Sequence, residues 1–277
     1  MASLIIALTF DVDCQGYLGD KPHPLPDELD TALDKLIPVF ERHPQWRATW
    51  FLRIDPELDE FARQKSLLGQ LIDHEHAIAW HYHGPLKQVA RFARLARSRG
   101  VDVSRVGFGR GSNRVLRLLA DAGIRIDSTA MPRPTYPWTR RGVDWTLTPR
   151  VPYRPSVADY RVPGTPSLDI VEVPISCDAV AAPGDDRHVV RYLNPAYHPA
   201  IFGPSVEAWL SRQHHLVTIT HPYEVLRGPD HKLLSFQVGA FEENVLTVER
   251  MARGMGGCEF VSLGEIADRR LLEVASA

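Results

Sequence analysis

Short apolar runs alternate with longer amphipathic segments along the first half of the chain. Leu4 to Phe10 is an apolar run of strand length that ends in Asp11, a pattern typical of a buried strand. Asp27 to Glu41 carries leucines at helical spacing, although Pro38 is expected to kink or end that helix. Further strands are predicted at 47–52, 77–80, 101–106 and 124–126, and helices are predicted after Pro56, Pro85 and Ser112. This alternation predicts parallel β-α units.

The alternation breaks between Met131 and Pro174. This segment holds nine prolines and several aromatic residues, and long ordered loops of this kind usually have a function. We expect it to fold over the carboxyl ends of the strands, where Trp138, Trp145 and Tyr153 would form one wall of a ligand cleft. Regular structure is predicted again at 169–173, 205–212, 216–220, 239–253 and 259–261. No linker interrupts the pattern, so we expect one domain over residues 1–277.

Composition narrows the class of protein. Hydrophobic residues make up 44% of the chain and charged residues 24%, which is typical of a globular protein and not of a disordered one. No apolar run is long enough to span a membrane, and the amino terminus lacks the features of a signal peptide. The net charge of −2 gives no bulk attraction for nucleic acid. Cys14, Cys177 and Cys258 are widely spaced, which favours reduced thiols and a cytoplasmic protein.

Polar side chains that suit metal chemistry follow several of the predicted strands. In a parallel barrel the carboxyl ends of the strands face one common site. Carboxylate and imidazole groups suit zinc or another divalent metal, and an open coordination position would make the site catalytic. For a single residue the structural alternative, a packed histidine or a capping aspartate, stays open, but the set predicts a metal site. Its members are Asp11, Asp13, His81, His83, Arg105, Asp127 and His221.

Three other clusters favour structural interpretations. Residues 74–76, His-Glu-His, follow an amphipathic segment and are expected to form a solvated turn. Gly107 to Gly111 has the spacing G-x-G-x-G rather than the dinucleotide-binding spacing, so a tight turn is favoured over a nucleotide site. The basic segment from Lys87 to Arg99 has no interleaved aromatic residues of the stacking type, so we interpret it as a solvated helix face rather than a nucleic-acid site.

Five short motifs resemble those of the polysaccharide deacetylases, carbohydrate esterase family four, with its nodulation-type deacetylase domain. They occur in the family's order and span residues 4 to about 265, nearly the whole chain. The resemblance implies a distorted (β/α) barrel of about seven parallel strands, here with a proline-rich aromatic insertion. It also implies metal-dependent removal of acetyl groups from sugars. The motifs are Leu8 to Asp13, Ala48 to Phe51, His76 to His81, Arg105 to Gly107 before the helix at Ser112, and Thr220 to Pro222.

The resemblance also implies roles for individual residues. Asp11 matches the catalytic base, which takes a proton from the attacking water. Asp13 and His81 match metal ligands. Arg105 matches the residue that orients the base, and a positive charge beside a carboxylate lowers its pKa. His221 matches the general acid for the leaving amine, and imidazole ordinarily titrates near neutral pH.

Two positions depart from the family pattern. The second metal histidine commonly lies four residues after the first, and that position is Pro85 here. His83 is the nearby substitute, so the implied ligand set is Asp13, His81 and His83. The acid that would tune the general acid is also ambiguous between Asp127 and Asp144, and we favour Asp127.

The expected function is removal of an acetyl (N-acyl) group from an amino sugar, with zinc as the favoured cofactor. In a cytoplasmic protein the substrate would be a nucleotide- or lipid-linked precursor of a surface polysaccharide, and the aromatic segment would stack on its sugar ring. Nucleic acid is not an expected partner. One alternative is an amidohydrolase or deformylase acting on a small amide with the same scaffold. Another is a glycan-binding relative without catalysis, which the joint presence of Asp11, Asp13, Arg105 and His221 disfavours.

Overall fold

Strands and helices alternate as expected. The structure is a computed structural model that describes residues 3–12, 15–17, 22–24, 26–53, 60–133, 144–182, 189–226, 228 and 230–275. Its strands are β1 (Leu4–Val12), β2 (Gln15–Tyr17), β3 (Pro22–Pro24), β4 (Ala48–Arg53), β5 (Ala77–Tyr82), β6 (Val103–Val106), β7 (Ile126–Asp127), β8 (Val171–Glu172), β9 (Cys177–Val180), β10 (Val189–Tyr192), β11 (His215–Val217) and β12 (Cys258–Phe260). Its helices are α1 (Pro26–Arg42), α2 (Glu60–Leu67), α3 (Gly69–Asp73), α4 (Val89–Ser98), α5 (Asn113–Asp121), α6 (Pro199–Leu210), α7 (Val238–Arg253) and α8 (Leu263–Ala275). Short 3-10 helices cover Leu86–Gln88, Gly107–Gly109 and Pro222–Val225.

The main sheet is parallel and curled. Its strand order is β11-β1-β4-β5-β6-β7-β8, with β12 also paired to β1. Strand β1 pairs with β4 along 8–12 and with β11 along 5–7. Two small antiparallel pairs, β2-β3 and β9-β10, lie outside this sheet. The predicted α/β class and distorted (β/α) barrel are confirmed.

Residue alternation along the strands separates two layers. Ala7 and Ala79 belong to a small apolar cluster inside the curled sheet, together with Phe51 and Val217. Every second residue points the other way, toward the helices. There the large rings pack, and Phe10 stacks on Trp50 with ring centroids 4.2 Å apart. The same alternation continues to the carboxyl ends of the strands. Polar residues there that are in step with Ala7 and Ala79 therefore point into the barrel interior, where a site can form.

The open side of the sheet, between β8 and β11, is covered by the chain that surrounds β8. The N–H of Ser176 donates to the carbonyl of Val217 at 2.9 Å. Tyr153 pairs with Glu172 in an antiparallel bridge. The proline-rich segment, as far as it is described, therefore covers part of the open side of the barrel.

Some elements differ from the sequence-based expectation. Helix α1 continues past Pro38 to Arg42. Pro38 is exposed. The backbone carbonyl one turn earlier, which has no Pro38 N–H to bond, therefore faces solvent, and this lowers the free-energy cost of a proline inside the helix. Helix α8 and the hairpin β9-β10 were not expected. No helix in the described ranges is long and apolar enough to cross a membrane.

Candidate active site

A buried ion pair connects Asp11, in β1, with Arg105, in β6. Nη1 of Arg105 donates to Oδ1 of Asp11 at 2.7 Å. The two residues are 3% and 2% exposed. Burial by itself raises the pKa of the Asp11 carboxyl, but the positive charges of Arg105, His81 and His221 outweigh it and lower that pKa below its ordinary value. Asp11 is therefore an ionised acceptor at the mouth of the barrel.

Arg105 is fixed in place by several partners besides Asp11. Its Nε and Nη2 donate to the carbonyl and the hydroxyl of Ser128, at 2.8 and 3.0 Å. Nη1 also donates to the Thr9 hydroxyl at 2.8 Å. The guanidinium lies 4.1 Å from the centre of the Phe51 ring, a distance at which the ring attracts a cation. This planar, multiply bonded geometry can be supplied by arginine but not by lysine.

His81 and His83 bring their ring nitrogens to one point. Both follow the course of β5, and their two-residue spacing places both rings on the same side of the extended chain. The Nε2 atoms lie 2.7 Å apart, and Nε2 of His81 is 3.8 Å from Oδ2 of Asp11. The backbone of Gly107 makes room for this arrangement, because a β-carbon there would lie 2.5 Å from Nε2 of His83. The pair fits two of the imidazole donors that zinc prefers.

The third predicted ligand, Asp13, lies outside the described residues. Within the described ranges, no three histidine, cysteine, aspartate or glutamate side chains form a group that could hold a metal ion. The donor chemistry of His81 and His83 fits a divalent metal.

His221 lies beside Asp11, on the chain that continues from β11. Phe10 bridges Thr220, and the Asp11 N–H donates to the Thr220 carbonyl at 3.0 Å. His221 then caps the 3-10 helix Pro222–Val225. The general acid and base implied by the resemblance are thus adjacent across two neighbouring strands.

The acid next to His221 is Glu224, which was not predicted from the sequence. Oε1 of Glu224 lies 3.2 Å from Nδ1 of His221, and Oε2 accepts from the His221 N–H at 2.8 Å. Asn194 also donates to Oε2, at 2.7 Å. A glutamate three residues after a capping residue is a known sequence signature, so the spacing from His221 to Glu224 was a usable signal.

Asp127 and Asp144, the two acids considered for this role, lie elsewhere. Asp127 accepts from the Ser104 hydroxyl at 2.5 Å. Because Arg105 points into the barrel, its neighbour Ser104 points to the other face of the sheet, and Asp127 is on that face with it. Asp144 bonds to Thr146 in the proline-rich segment. The expectation that Asp127 tunes His221 is therefore corrected in favour of Glu224.

Asp127 belongs instead to a buried pair of acids with Glu172. The two residues are opposite each other in β7 and β8 and are fully buried. Burial and the negative charge of Asp127 raise the pKa of Glu172 well above its ordinary value. Glu172 accepts from the N–H groups of Thr129 and Ala130, at 3.0 and 2.8 Å, and so fixes the chain directly after Ser128.

Tyr192, at the end of β10, is a candidate site residue that was not predicted from the sequence. It is partly buried and packs against an apolar cluster that includes Ile219. Burial, then the negative charge of Glu224 and, more weakly, that of Asp11, raise the pKa of its phenol well above the ordinary value. Its hydroxyl makes no hydrogen bond to any residue in the described ranges. The phenol of Tyr192 is therefore a candidate hydrogen-bond donor to a ligand.

The predicted aromatic wall has a different arrangement. Trp145 is fully buried, and its indole N–H donates to the Gly109 carbonyl at 2.8 Å. Tyr153 is buried too, and its hydroxyl donates to the Tyr160 carbonyl at 2.8 Å. These rings hold the segment together and present no open face for stacking on a sugar. Trp138 lies outside the described residues.

The other clusters have structural roles. Gly107 to Gly109 forms a tight turn, as predicted, with positive φ at Phe108 and Gly109. In the cluster at 74–76, His76 is buried rather than solvated. Its Nδ1 accepts from the Trp50 indole N–H at 3.0 Å. Burial lowers the pKa of His76 to about 4, so this histidine is a neutral core residue.

Comparison with known structures places the fold. A protein from Mycobacterium smegmatis, described as a "putative polysaccharide deacetylase", aligns with a TM-score of 0.60 over 97% of this chain and 91% of its own, at 16% identity. A second protein so described, from Bordetella bronchiseptica and involved in O-antigen biosynthesis, aligns at 20% identity over 79% of this chain and 72% of its own. Its TM-score of 0.38 is too low to establish a common fold. A 4-alpha-glucanotransferase from Thermococcus litoralis aligns with a TM-score of 0.50 at 12% identity, covering 96% of this chain and 40% of its own. No family model and no curated protein match the sequence.

The class that these findings define is a distorted (β/α) barrel with an Asp-Arg ion pair and three histidines at its mouth. The chain shares this barrel over nearly its whole length with the Mycobacterium smegmatis protein. At such identities the likeness establishes the fold, and the chemistry must be argued from the site.

Proposed function

We propose that this protein is a metal-dependent hydrolase of the polysaccharide deacetylase type, which removes an acetyl (N-acyl) group from an amino sugar. The observation that carries the proposal is the buried Asp11-Arg105 pair at 2.7 Å, directly beside the converging rings of His81 and His83. A carboxylate kept ionised next to a pair of metal-type donors is what activation of a water molecule requires. The fold shared with the Mycobacterium smegmatis protein supports the same assignment.

His81 and His83 would hold the metal, most simply zinc, with Asp13 as the third ligand. When bound, a divalent metal would polarise the acyl carbonyl and lower the pKa of a water molecule. Asp11 is not needed as a ligand in this assignment, because its Oδ1 is engaged by Arg105.

Asp11 and His221 divide the proton transfers between them. Asp11 accepts the proton of the attacking water, and Arg105 keeps it ionised and correctly oriented. His221 donates a proton to the amine as the carbon–nitrogen bond breaks. Glu224 holds the His221 ring through Nδ1, which directs Nε2 toward the substrate.

Tyr192 supplies a hydrogen bond to the substrate. Its hydroxyl is near the Asp11 and Glu224 charges and has no partner in the described ranges. A sugar hydroxyl or the acyl oxygen would satisfy it. This residue takes the substrate-binding role that Trp145 and Tyr153 cannot fill from their buried positions.

We infer that the substrate is a glycan precursor, nucleotide- or lipid-linked, used for a surface polysaccharide. This assignment rests on the cytoplasmic location expected from composition and cysteine usage.

The test is acetate release from short N-acetylglucosamine oligomers by protein prepared without chelator and supplied with zinc. Asp11→Asn should lower kcat/KM by about 10²-fold or more, because it removes the general base. Asp34→Asn, an exposed aspartate on α1, is the matched control and should leave kcat/KM unchanged. Turnover of small free amides alone would favour the amidohydrolase alternative. Oligomer binding without turnover, and without metal, would favour a glycan-binding protein.

A second comparison tests Tyr192. Tyr192→Phe should raise KM, or lower kcat/KM by about tenfold, the value of one or two hydrogen bonds lost to a substrate. Tyr160→Phe removes a hydroxyl that bonds to the Asp144 carbonyl and should have no such effect. Equal kinetics for wild type and Tyr192→Phe on an active enzyme would remove Tyr192 from the site without affecting the assignment of Asp11.

A further inference from the structure

One face of the barrel carries a dense positive charge that the proposed chemistry does not use. Residues 83–118 contain nine lysines and arginines and one acidic residue, Asp102, in a chain whose net charge is −2. Six of these cations are exposed, and we call them the basic surface. They are Lys87, Arg91, Arg94, Arg110, Arg114 and Arg117.

The basic surface is continuous and lies at the site end of the barrel. Helices α4 and α5 pack against each other, and both bury their apolar faces toward the sheet, so their charged faces point outward together. Each helix begins where a strand ends, α4 after β5 and α5 after β6. The first turns of both helices, and Arg110 before α5, therefore lie beside the mouth of the barrel.

The charge of this surface is not neutralised locally. Within the described ranges, none of the six cations forms an ion pair. Asp102 lies at the opposite end of α4, where Arg97 and Arg125 engage it at 3.4 and 2.6 Å. A cluster of unpaired cations on a slightly acidic protein attracts a polyanionic partner.

Exposed leucines accompany the basic surface. Among the described residues the exposed large hydrophobic side chains are Leu86, 40% exposed, and Leu147, 57% exposed. Leu86 directly precedes Lys87. Leu147 is two residues from Trp145, whose indole is bonded to the carbonyl of Gly109, the residue before Arg110. Leu86 is thus next to the basic surface in sequence, and Leu147 is held close to Arg110 through the bond between Trp145 and Gly109.

The geometry points to an anionic membrane surface as the partner of this face. Cations next to a few exposed aliphatic side chains are what binding at a lipid–water interface requires. Nucleic acid fits less well, since single strands are bound by exposed aromatic rings, whereas the exposed large side chains described here are leucines.

Binding in this orientation would bring the mouth of the barrel to the lipid headgroups. Arg110 lies 5.0 Å from the Phe108 ring, and that ring packs edge-on against His83 with centroids 4.7 Å apart. The basic surface is therefore continuous with the His81-His83 pair, and a substrate held by a lipid carrier would reach the site from the membrane plane. The proposal goes beyond the deacetylase assignment, and its test needs no substrate.

The test is co-sedimentation of the full chain with vesicles of phosphatidylcholine mixed with phosphatidylglycerol, against vesicles of phosphatidylcholine alone. We expect binding to the anionic vesicles only, weakened by added salt. Arg91→Gln combined with Arg94→Gln should lower the partition coefficient about 25-fold, since each cation near the surface contributes about fivefold. Arg250→Gln with Arg253→Gln, exposed arginines on α7, is the matched control and should bind like wild type.

Other outcomes would overturn the proposal. Equal binding to neutral and anionic vesicles, or equal weakening by the α7 control, would show that the basic surface is not the contact. Absence of vesicle binding together with tight, salt-sensitive binding to heparin or single-stranded DNA would identify a soluble polyanion as the partner instead. Leu86→Ser with Leu147→Ser should weaken vesicle binding and leave heparin binding unchanged, which separates the two cases.

Discussion

Arg105 and Asp11 meet across the interior of the barrel although two other strands, β4 and β5, separate their strands in the sheet. Such a contact is possible only because the sheet curls and both side chains point inward. The pair therefore joins distant parts of the sheet as well as forming part of the candidate site.

Removal of the arginine should destabilise the fold more than removal of both partners. Arg105→Met leaves the Asp11 carboxylate buried without its partner, and breaking a buried pair from one side costs about 3–5 kcal/mol. The double variant Arg105→Met with Asp11→Asn should recover part of that loss. Urea unfolding of the two variants and of wild type measures these changes in unfolding free energy. A double variant less stable than Arg105→Met would contradict this view of the pair.

Gly107 should control metal affinity through His83. A methyl group at this position would lie 2.5 Å from Nε2 of His83, so Gly107→Ala must displace the ring. We expect zinc affinity to fall about tenfold or more, the usual effect of disturbing the support of a ligand. Competition with a chromophoric chelator measures it. Gly69→Ala, where the added methyl meets no atom within 4 Å, should bind zinc like wild type.

Glu224 should affect activity more than Asp127 does. Glu224→Gln removes the negative charge next to His221, and we expect kcat to fall by about 10–100-fold, up to the full contribution of a general acid, with KM little changed. Asp127→Asn acts on the other face of the sheet and should lower stability before it lowers kcat. Steady-state kinetics and thermal unfolding of both variants separate the effect on kcat from the effect on stability. The opposite order of kcat values would restore Asp127 to the role expected from the sequence.

His76 should make the protein sensitive to acid. Its pKa is lowered to about 4 in the fold, whereas the unfolded chain binds the proton near pH 6.5. The stabilisation is therefore fully present above pH 6.5 and is lost as the pH falls toward 4, by about 3 kcal/mol. His76→Gln should flatten this part of the curve of unfolding free energy against pH. His214→Gln, an exposed histidine, should leave the curve unchanged.

The barrel was predictable because its strands are encoded locally. In a chain of this size, a short apolar run such as Leu4 to Phe10 is most stable as a buried strand. Parallel topology then brings the polar residues at the strand ends together. Asp11, Arg105 and His221 could be placed at one site on that basis alone. His83 could be proposed as a partner of His81 from the two-residue spacing.

Other features depend on contacts that a single sequence does not encode. Trp145 and an exposed tryptophan look alike in sequence, and only the partner at Gly109 shows that this ring is buried. Asp127 comes at the end of an apolar run as Asp11 does, but residue alternation places it on the opposite face of the sheet. Tyr192 belongs to a hairpin whose strands have four residues each, too short for a clear period.

The interior of the barrel restricts where new specificity can arise. Ala7 and Ala79 line the inside of the sheet and are fully buried in a packed apolar cluster, so there is little space beside them for a larger side chain. A larger residue at either position would press against Phe51 and Val217 of the same cluster rather than reshape a pocket. Directed evolution toward other acyl groups or sugars should therefore succeed in the segments after the carboxyl ends of the strands and fail at Ala7 and Ala79.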